Sequence, residues 1–388
     1  MPLLGPMRSK KFFLLGAIII LIILLITGFG YYSSLKKPEE KKPTIVEAPE
    51  QETKPQPINT ETPVFPTLPT EKPTETEEIP ETFIPTSTSE SKIKKLFDKE
   101  LAYGDLYYPY IYIYDPQEGI LKYLNLEDKT YKEIYKSSNI SNISVSPTRK
   151  RIVFVENNRL NLLDLSKDSF INFKEKISSF IWKNDELYFF AFDNLNGGFV
   201  GKFFDLNKEP LILEKLNFIR AKLEIFGNLL LVYADSLNSI NSPVFALNLS
   251  KPAGFSLYLE PKNYYSLISS NDGKYLFVSY QEDSWKSKII DQNKKELIAF
   301  DWGTLKEKCS FVDVLVCGVP LNQKTDINDW YKLKRSYQDK IIIFNPKTKE
   351  LKEVNLDGFF DVIKPKLTPI GIVFWNRNDA NFYIVNLE

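Results

Sequence analysis

LDLSK, residues 163–167, ends an apolar run on an aspartate and enters a polar turn. The same order of residues stands at LNLED (Asn125), FDLNK (Asp205), LNLSK (Asn248), IDQNK (Asp291), FNPKT (Asn345) and VNLE (Asn386). Successive Asx residues in this series are 39, 41, 43, 43, 54 and 41 positions apart. The Asx side chain can bond the backbone two residues on and so fix the turn. A second signal runs in phase: a polar hairpin followed by an apolar strand, as in VSPTRKRIVFV, WKNDELYFFAF, SSNDGKYLFVSY and LTPIGIVFW. Asp272-Gly273 is a strong hairpin dipeptide. A period of about 40–45 residues made only of strands is what a β-propeller blade requires.

Each repeat offers an A–B hairpin, a strand C ending at the Asx turn, and a strand D such as TYKEIY, residues 130–135. The seventh copy reaches Glu388 without a fourth strand. An open sheet edge is a liability, and SKIKKLF, residues 91–97, precedes the first full blade. The expected fold is therefore all-β: a seven-bladed β-propeller whose last blade is closed by an N-terminal strand.

Ahead of the repeats, residues 12–30 read FFLLGAIIILIILLITGFG without a charge. At 1.5 Å per residue this spans roughly 28 Å, enough to cross a hydrocarbon core. Tyr31 and Tyr32 suit the interface. Lysines flank both ends, so charge alone barely orients the segment. A short basic leader before an apolar run is a signal-anchor arrangement, and a long following domain translocates largely regardless of charge. The expected organisation is a cytoplasmic leader at 1–11, one transmembrane helix at 12–32, a disordered Pro/Thr/Glu-rich stalk at 33–91, and a propeller at 92–388 in an extracytoplasmic position at the cell membrane.

Lysine plus arginine equals aspartate plus glutamate, 50 each, and histidine is absent. Neutrality argues against a nucleic-acid partner. Without histidine there is no Ser-His or Cys-His nucleophile pair, and two cysteines cannot build a structural zinc site. No cofactor or metal is expected. Carboxylates are plentiful, but those of different blades meet only in three dimensions, so no catalytic pair can be singled out.

The hairpins and Asx turns resemble degenerate WD-repeat-like and Tol-system propeller repeats, although the WD dipeptide and its Gly-His partner are missing. A more specific resemblance rests on Lys308-Cys309, Cys317-Gly318-Val319-Pro320, Asp329-Trp330-Tyr331 and Asp339-Lys340-Ile341. On these motifs the chain resembles uncharacterised single-pass membrane-anchored β-propeller proteins of candidate-phyla (Patescibacteria-like) bacteria. That resemblance implies the anchor and the fold and brings no activity with it.

Cys309 and Cys317 are the only cysteines. If Val312-Asp313-Val314 forms a three-residue loop, Phe311 faces Leu315 and Cys309 faces Cys317, all on one side of a hairpin. In an oxidising compartment they would form a disulfide, and in a reducing one they would remain buried thiols. The long spacing of 54 marks an insertion between strands B and C of the sixth repeat. Its Asp329, Trp330, Tyr331, Lys334, Arg335 and Tyr337 are residue types that dominate binding hot spots, and such a loop can equally be packed down by its aromatics. In a propeller all B–C loops emerge on one face. The expected function is thus a non-enzymatic binding or scaffold module. It would be tethered to the bilayer by one helix and contact a protein or envelope glycan through that face. A carboxylate-dependent envelope hydrolase or lyase is the alternative.

Overall fold

A computed structural model describes residues 87–90 and 92–387, apart from 158, 168, 174–175, 194–196, 204–208, 236–240 and 325–326. The expected leader, transmembrane helix and stalk as far as residue 86 lie outside the described residues. The described residues are nearly all strand, with one short helix, Ile327–Tyr331, and one 3-10 turn, Lys306–Lys308.

The strands form antiparallel meanders. The first is Ala102–Tyr107, Tyr110–Asp115, Ile120–Asn125 and Tyr131–Lys136. The second starts at Ile140–Val145, the third at Lys176–Lys183 and the fourth at Ala221–Phe226. The strand Ser256–Ser269 pairs with Ser242–Asn248 of the fourth meander and Tyr275–Gln281 of the fifth, so it serves both. The sixth comprises Cys309–Phe311, Leu315–Pro320, Asp339–Asn345 and Glu350–Asn355. The seventh comprises Val362–Thr368, Gly371–Asn376 and Asn381–Asn386.

Second strands such as LYFFAF and LLLVYA are apolar on both faces because a neighbouring meander covers each side. Among the described residues, seven apolar cores lie between consecutive meanders. The last joins Val373, Phe382 and Ile384 of the seventh to Leu106, Ile111 and Ile113 of the first. Aromatic edges fill these cores, with Phe173 and Phe203 4.3 Å apart between ring centroids.

Five of the seven repeated Asx residues form the expected turn, and Asp205 lies outside the described residues. Asn125, Asp164, Asn248, Asp291 and Asn345 each accept a bond from the backbone N–H two residues on, at 2.8–3.0 Å. Gly273, at φ 67°, closes the Asp272-Gly273 hairpin in a conformation that favours glycine.

Two N-terminal segments join the meanders. Lys92–Lys95 pairs antiparallel with Asn381–Asn386, Lys92 opposite Asn386 and Lys95 opposite Tyr383. Ser87–Glu90, which composition assigned to the stalk, runs parallel to Glu350–Asn355 with Ser87 opposite Lys352. Ladder hydrogen bonds need no apolar side chain, so this four-residue segment, STSE, carries no strand signature.

First strands of several consecutive meanders pack side by side, and in the expected propeller such strands line a central axial space. First and third strands of a meander run in the same direction. The links into first strands and the B–C links therefore emerge at one end of that space. Several first strands carry a register shift near this end: Ala102/Asp105, Ser141/Ser144, Ile177/Ser179, Asn263/Ser266 and Ile363/Lys366. Such bulges bend a strand and re-aim a side chain.

Candidate functional site

The link of the sixth meander occupies residues 321–338, inside the predicted insertion. The helix Ile327–Tyr331 was not foreseen, since five residues are too few to show a periodicity. The corresponding link of the fifth meander, by contrast, is a tight turn in which Gln281 pairs directly with Trp285.

The insertion stands on a buried polar base. Lys308 is fully buried, with Nζ 2.6 Å from Asp339 Oδ2 and also bonded to Asp361 Oδ1. Asp361 accepts from Trp330 Nε1 at 2.9 Å and from the Tyr337 N–H at 3.2 Å. Asp339 accepts the Val362 N–H at 2.7 Å through Oδ2, while its buried Oδ1 has no partner among the described residues. Burial pushes the Asp339 carboxyl up to about 6, with Lys308 opposing the shift and Asp361 reinforcing it.

Trp330 and Tyr337, both 5% exposed, pack with Ile327, Trp285, Leu305 and Ile363. The Arg377 guanidinium lies 4.2 Å from the Trp330 ring centroid and donates to the Trp330 carbonyl at 2.7 Å. Two of the six expected loop residues thus face the interior. Lys334 and Arg335 are exposed, as are Lys332 and Leu333, the latter 79% exposed and left-handed at φ 60°.

Tyr331 connects the insertion to the axial space. Its hydroxyl donates to Glu307 Oε2 at 3.0 Å and accepts from Lys222 Nζ. Lys222 also pairs with Glu307 at 2.8 Å, and Lys306 pairs with Glu224 at 3.1 Å. Lys222 and Glu224 belong to the fourth meander, whereas Lys306 and Glu307 lead into the sixth. These pairs therefore span the axial space past the fifth. On the other side Lys366 of the seventh meander reaches Asp105 of the first at 3.3 Å. Asp105 also accepts the Val145 N–H at 3.2 Å. Burial raises the Glu224 carboxyl against the pull of Lys306. Burial works to raise the Glu307 carboxyl, but Lys222, Lys306 and a backbone hydrogen bond together hold it below the usual range.

The sequence motifs included Lys308 and Asp339 without showing that they pair, and Asp361 and the axial groups were not singled out. A signal existed for the latter. Lys222 and Glu224, and Lys364 and Lys366, are charges two apart in otherwise apolar strands. Period-two charge marks one face of a strand, and in a strand buried by neighbours that face must look onto an enclosed polar space.

Cys309 and Cys317 stand opposite each other across the hairpin, with Phe311 opposite Leu315, and their Sγ atoms are bonded. Both are buried in the core between the fifth and sixth meanders. Replacing both by alanine should lower stability by about 2–3 kcal/mol, from lost loop closure and lost sulfur packing. Urea unfolding of parent and variant measures this. Equal midpoints would show that the bridge adds nothing.

No protein-family model matches the chain, and no curated protein matches it in sequence. Solved structures do. The β-propeller domain of Cps50 (Swd1) from Myceliophteria thermophila aligns at TM-score 0.52 and 10% identity, over 77% of this chain and 100% of that one. The β-propeller domain of the trilobed protease from Pyrococcus furiosus, described as having an open velcro topology, aligns at TM-score 0.51 and 14% identity, over 75% and 94%. The fold is a β-propeller. Virginiamycin B lyase from Staphylococcus aureus, solved with quinupristin as a catalytically inactive variant, aligns at TM-score 0.50 and 13% identity, over 77% and 100%. The likeness is one of fold alone.

Proposed function

We propose that the chain is a membrane-tethered, extracytoplasmic, non-enzymatic propeller that captures a protein or envelope glycan through the face carrying the sixth-blade insertion. In this reading the domain is a closed ring of seven blades, and Lys92–Lys95 completes the last. The seven inter-blade cores, ending in the one between the seventh meander and the first, support that count. The disulfide favours an oxidising compartment. The resemblance to membrane-anchored propellers and the uncharged run at 12–30 supply the tether.

One observation carries the binding reading. Each named axial carboxylate is held by a lysine of the protein, Glu307 by Lys222, Glu224 by Lys306 and Asp105 by Lys366. Meanwhile the insertion presents exposed Lys332, Leu333, Lys334 and Arg335 on a rigid, buried base. Cations and an apolar side chain on a preorganised loop suit recognition.

The full chain in detergent, immobilised and exposed to envelope extract, should retain a partner that Lys334→Glu/Arg335→Glu does not, with both proteins melting alike. Equal capture by both, or none by either, would remove the reading. The hydrolase or lyase alternative rests on the opposite shifts of Glu224 and Glu307, the pattern of an acid and its partner base. Turnover of an envelope polymer that is lost in Glu224→Gln would establish it instead.

A further inference from the structure

Leu333 carries two costs that folding does not recover. The helix Ile327–Tyr331 ends in a tight cap, in which the Leu333 N–H donates to the Trp330 carbonyl at 3.1 Å and the Lys334 N–H to the Asp329 carbonyl at 2.9 Å. This is the Schellman pattern, and it places its left-handed residue at Leu333, φ 60°, where glycine ordinarily stands. A leucine in that region crowds its Cβ against the following carbonyl. The side chain is also 79% exposed, so it returns little buried area for the strain. Strained non-glycine residues persist where the surroundings fix them, and they cluster at functional sites.

The surroundings of this leucine have one sign of charge. Lys332, Lys334 and Arg335 flank it and are exposed with it, and Lys324 is exposed on the outgoing arm. Among the described residues of 321–338, no exposed side chain is acidic. Leu321 and Phe359, 54% and 57% exposed, stand at the same end of the domain. Gln338 ties them together, accepting the Leu321 N–H on its carbonyl and donating its side-chain amide to the Gly358 carbonyl. The chain also enters the domain on this blade, because Ser87–Glu90 lies along its outer strand Glu350–Asn355. A rigid basic tip with an apolar point matches the edge of a bilayer, where anionic headgroups overlie an apolar layer. A polysaccharide would answer the cations and give the leucine nothing to enter.

We propose that residues 332–335 dock on an anionic lipid surface, with Leu333 entering the interface and Lys332, Lys334 and Arg335 on the headgroups. The step goes beyond partner capture, which is read in detergent where no bilayer is present, so the two can fail separately. It rests on the tether only for proximity: a helix in the same bilayer keeps the tip at a high effective concentration, and weak docking then suffices. A docked tip holds the face of the insertion at the bilayer, so a partner captured there also lies at the membrane surface.

The test uses the full chain with vesicles of phosphatidylcholine alone or with about one third phosphatidylglycerol. An environment-sensitive fluorophore is attached to Leu333→Cys, the native cysteines being buried and bonded to each other. Its emission should shift to the blue and brighten on the anionic vesicles and stay solvent-like on phosphatidylcholine. The same fluorophore on Val312→Cys, 51% exposed in the turn at the opposite end, should stay solvent-like on both. Each cation near an anionic surface changes binding about fivefold, so adding Lys334→Glu/Arg335→Glu should weaken docking about twenty-five-fold or more and abolish the shift. Leu333→Gly should melt at or above the parent in detergent, because the strain is relieved. A label at Leu333 that stays solvent-like on anionic vesicles, or that shifts equally on both kinds, overturns the proposal. A shift on phosphatidylcholine with inorganic phosphate added, or one given in detergent by envelope protein and not by anionic vesicles, assigns the tip to a free anion or to a protein instead. A Leu333→Gly that melts well below the parent makes the leucine part of the fold and overturns its role at the lipid.

Discussion

Lys308→Ala is expected to destabilise the domain by about 3–5 kcal/mol, the range for removing one partner of a buried ion pair. The lysine is fully buried, and its removal leaves Asp339 and Asp361 facing each other without their shared cation. Asp361 still accepts from Trp330 and Tyr337, so Asp339, with its orphaned Oδ1, bears most of the loss. The penalty should depend on pH. In the parent, burial already raises Asp339 to about 6 from an ordinary 3.8. A carboxyl raised on folding destabilises the fold above its folded pKa and ceases to do so below its unfolded one. Without Lys308 that pKa rises further, so the deficit should be largest at pH 8 and shrink towards pH 5 as Asp339 takes a proton. Lys308→Ala/Asp339→Asn should recover part of the loss at pH 8 and little at pH 5. Urea unfolding at both values reads this out. A pH-independent deficit below 1 kcal/mol would show that the triad is not stabilised by its charge pairing.

The parts of the fold that were legible in the sequence are those fixed locally. An Asx turn needs one side chain and a backbone N–H two residues away, so Asn125, Asp164, Asn248, Asp291 and Asn345 could be read directly. The Cys309/Cys317 register followed from a three-residue loop and the two-residue pleat. The triad was illegible for the opposite reason. Lys308, Asp339 and Asp361 lie 31 and 22 residues apart along the chain (339 − 308 and 361 − 339), on elements that meet only when the sixth and seventh meanders pack. The parallel strand Ser87–Glu90 escaped because its residues are those of a polar linker. Trp330 and Tyr337 belong to residue types that serve hot spots and cores equally, and only the position of Asp361 decides between the two uses.

That decision gives the second large effect. Trp330→Ala should cost about 3–5 kcal/mol, the range for truncating a buried tryptophan. The indole is the keystone of the insertion: its N–H reaches Asp361 at 2.9 Å, Arg377 lies 4.2 Å from its centroid, and Tyr337 stacks on it at 6.3 Å. Trp330→Phe keeps most of the packing and removes the N–H from a buried carboxylate, so it should cost about 1–3 kcal/mol. The ordering alanine worse than phenylalanine worse than parent separates packing from hydrogen bonding. The two variants should also differ in where the damage shows. The insertion contacts the blades through Trp285, Leu305 and Ile363 at its own base, so its loosening should precede global unfolding. Limited proteolysis within residues 321–338 should quicken sharply in Trp330→Ala, while hydrogen exchange in the Asn125 and Asp164 repeats stays near parent rates. Partner capture should fall in Trp330→Ala through loss of preorganisation, as it falls in Lys334→Glu/Arg335→Glu at unchanged stability. If Trp330→Ala kept parental stability and protease resistance, the ring would be a surface contact and the insertion a rigid body without it.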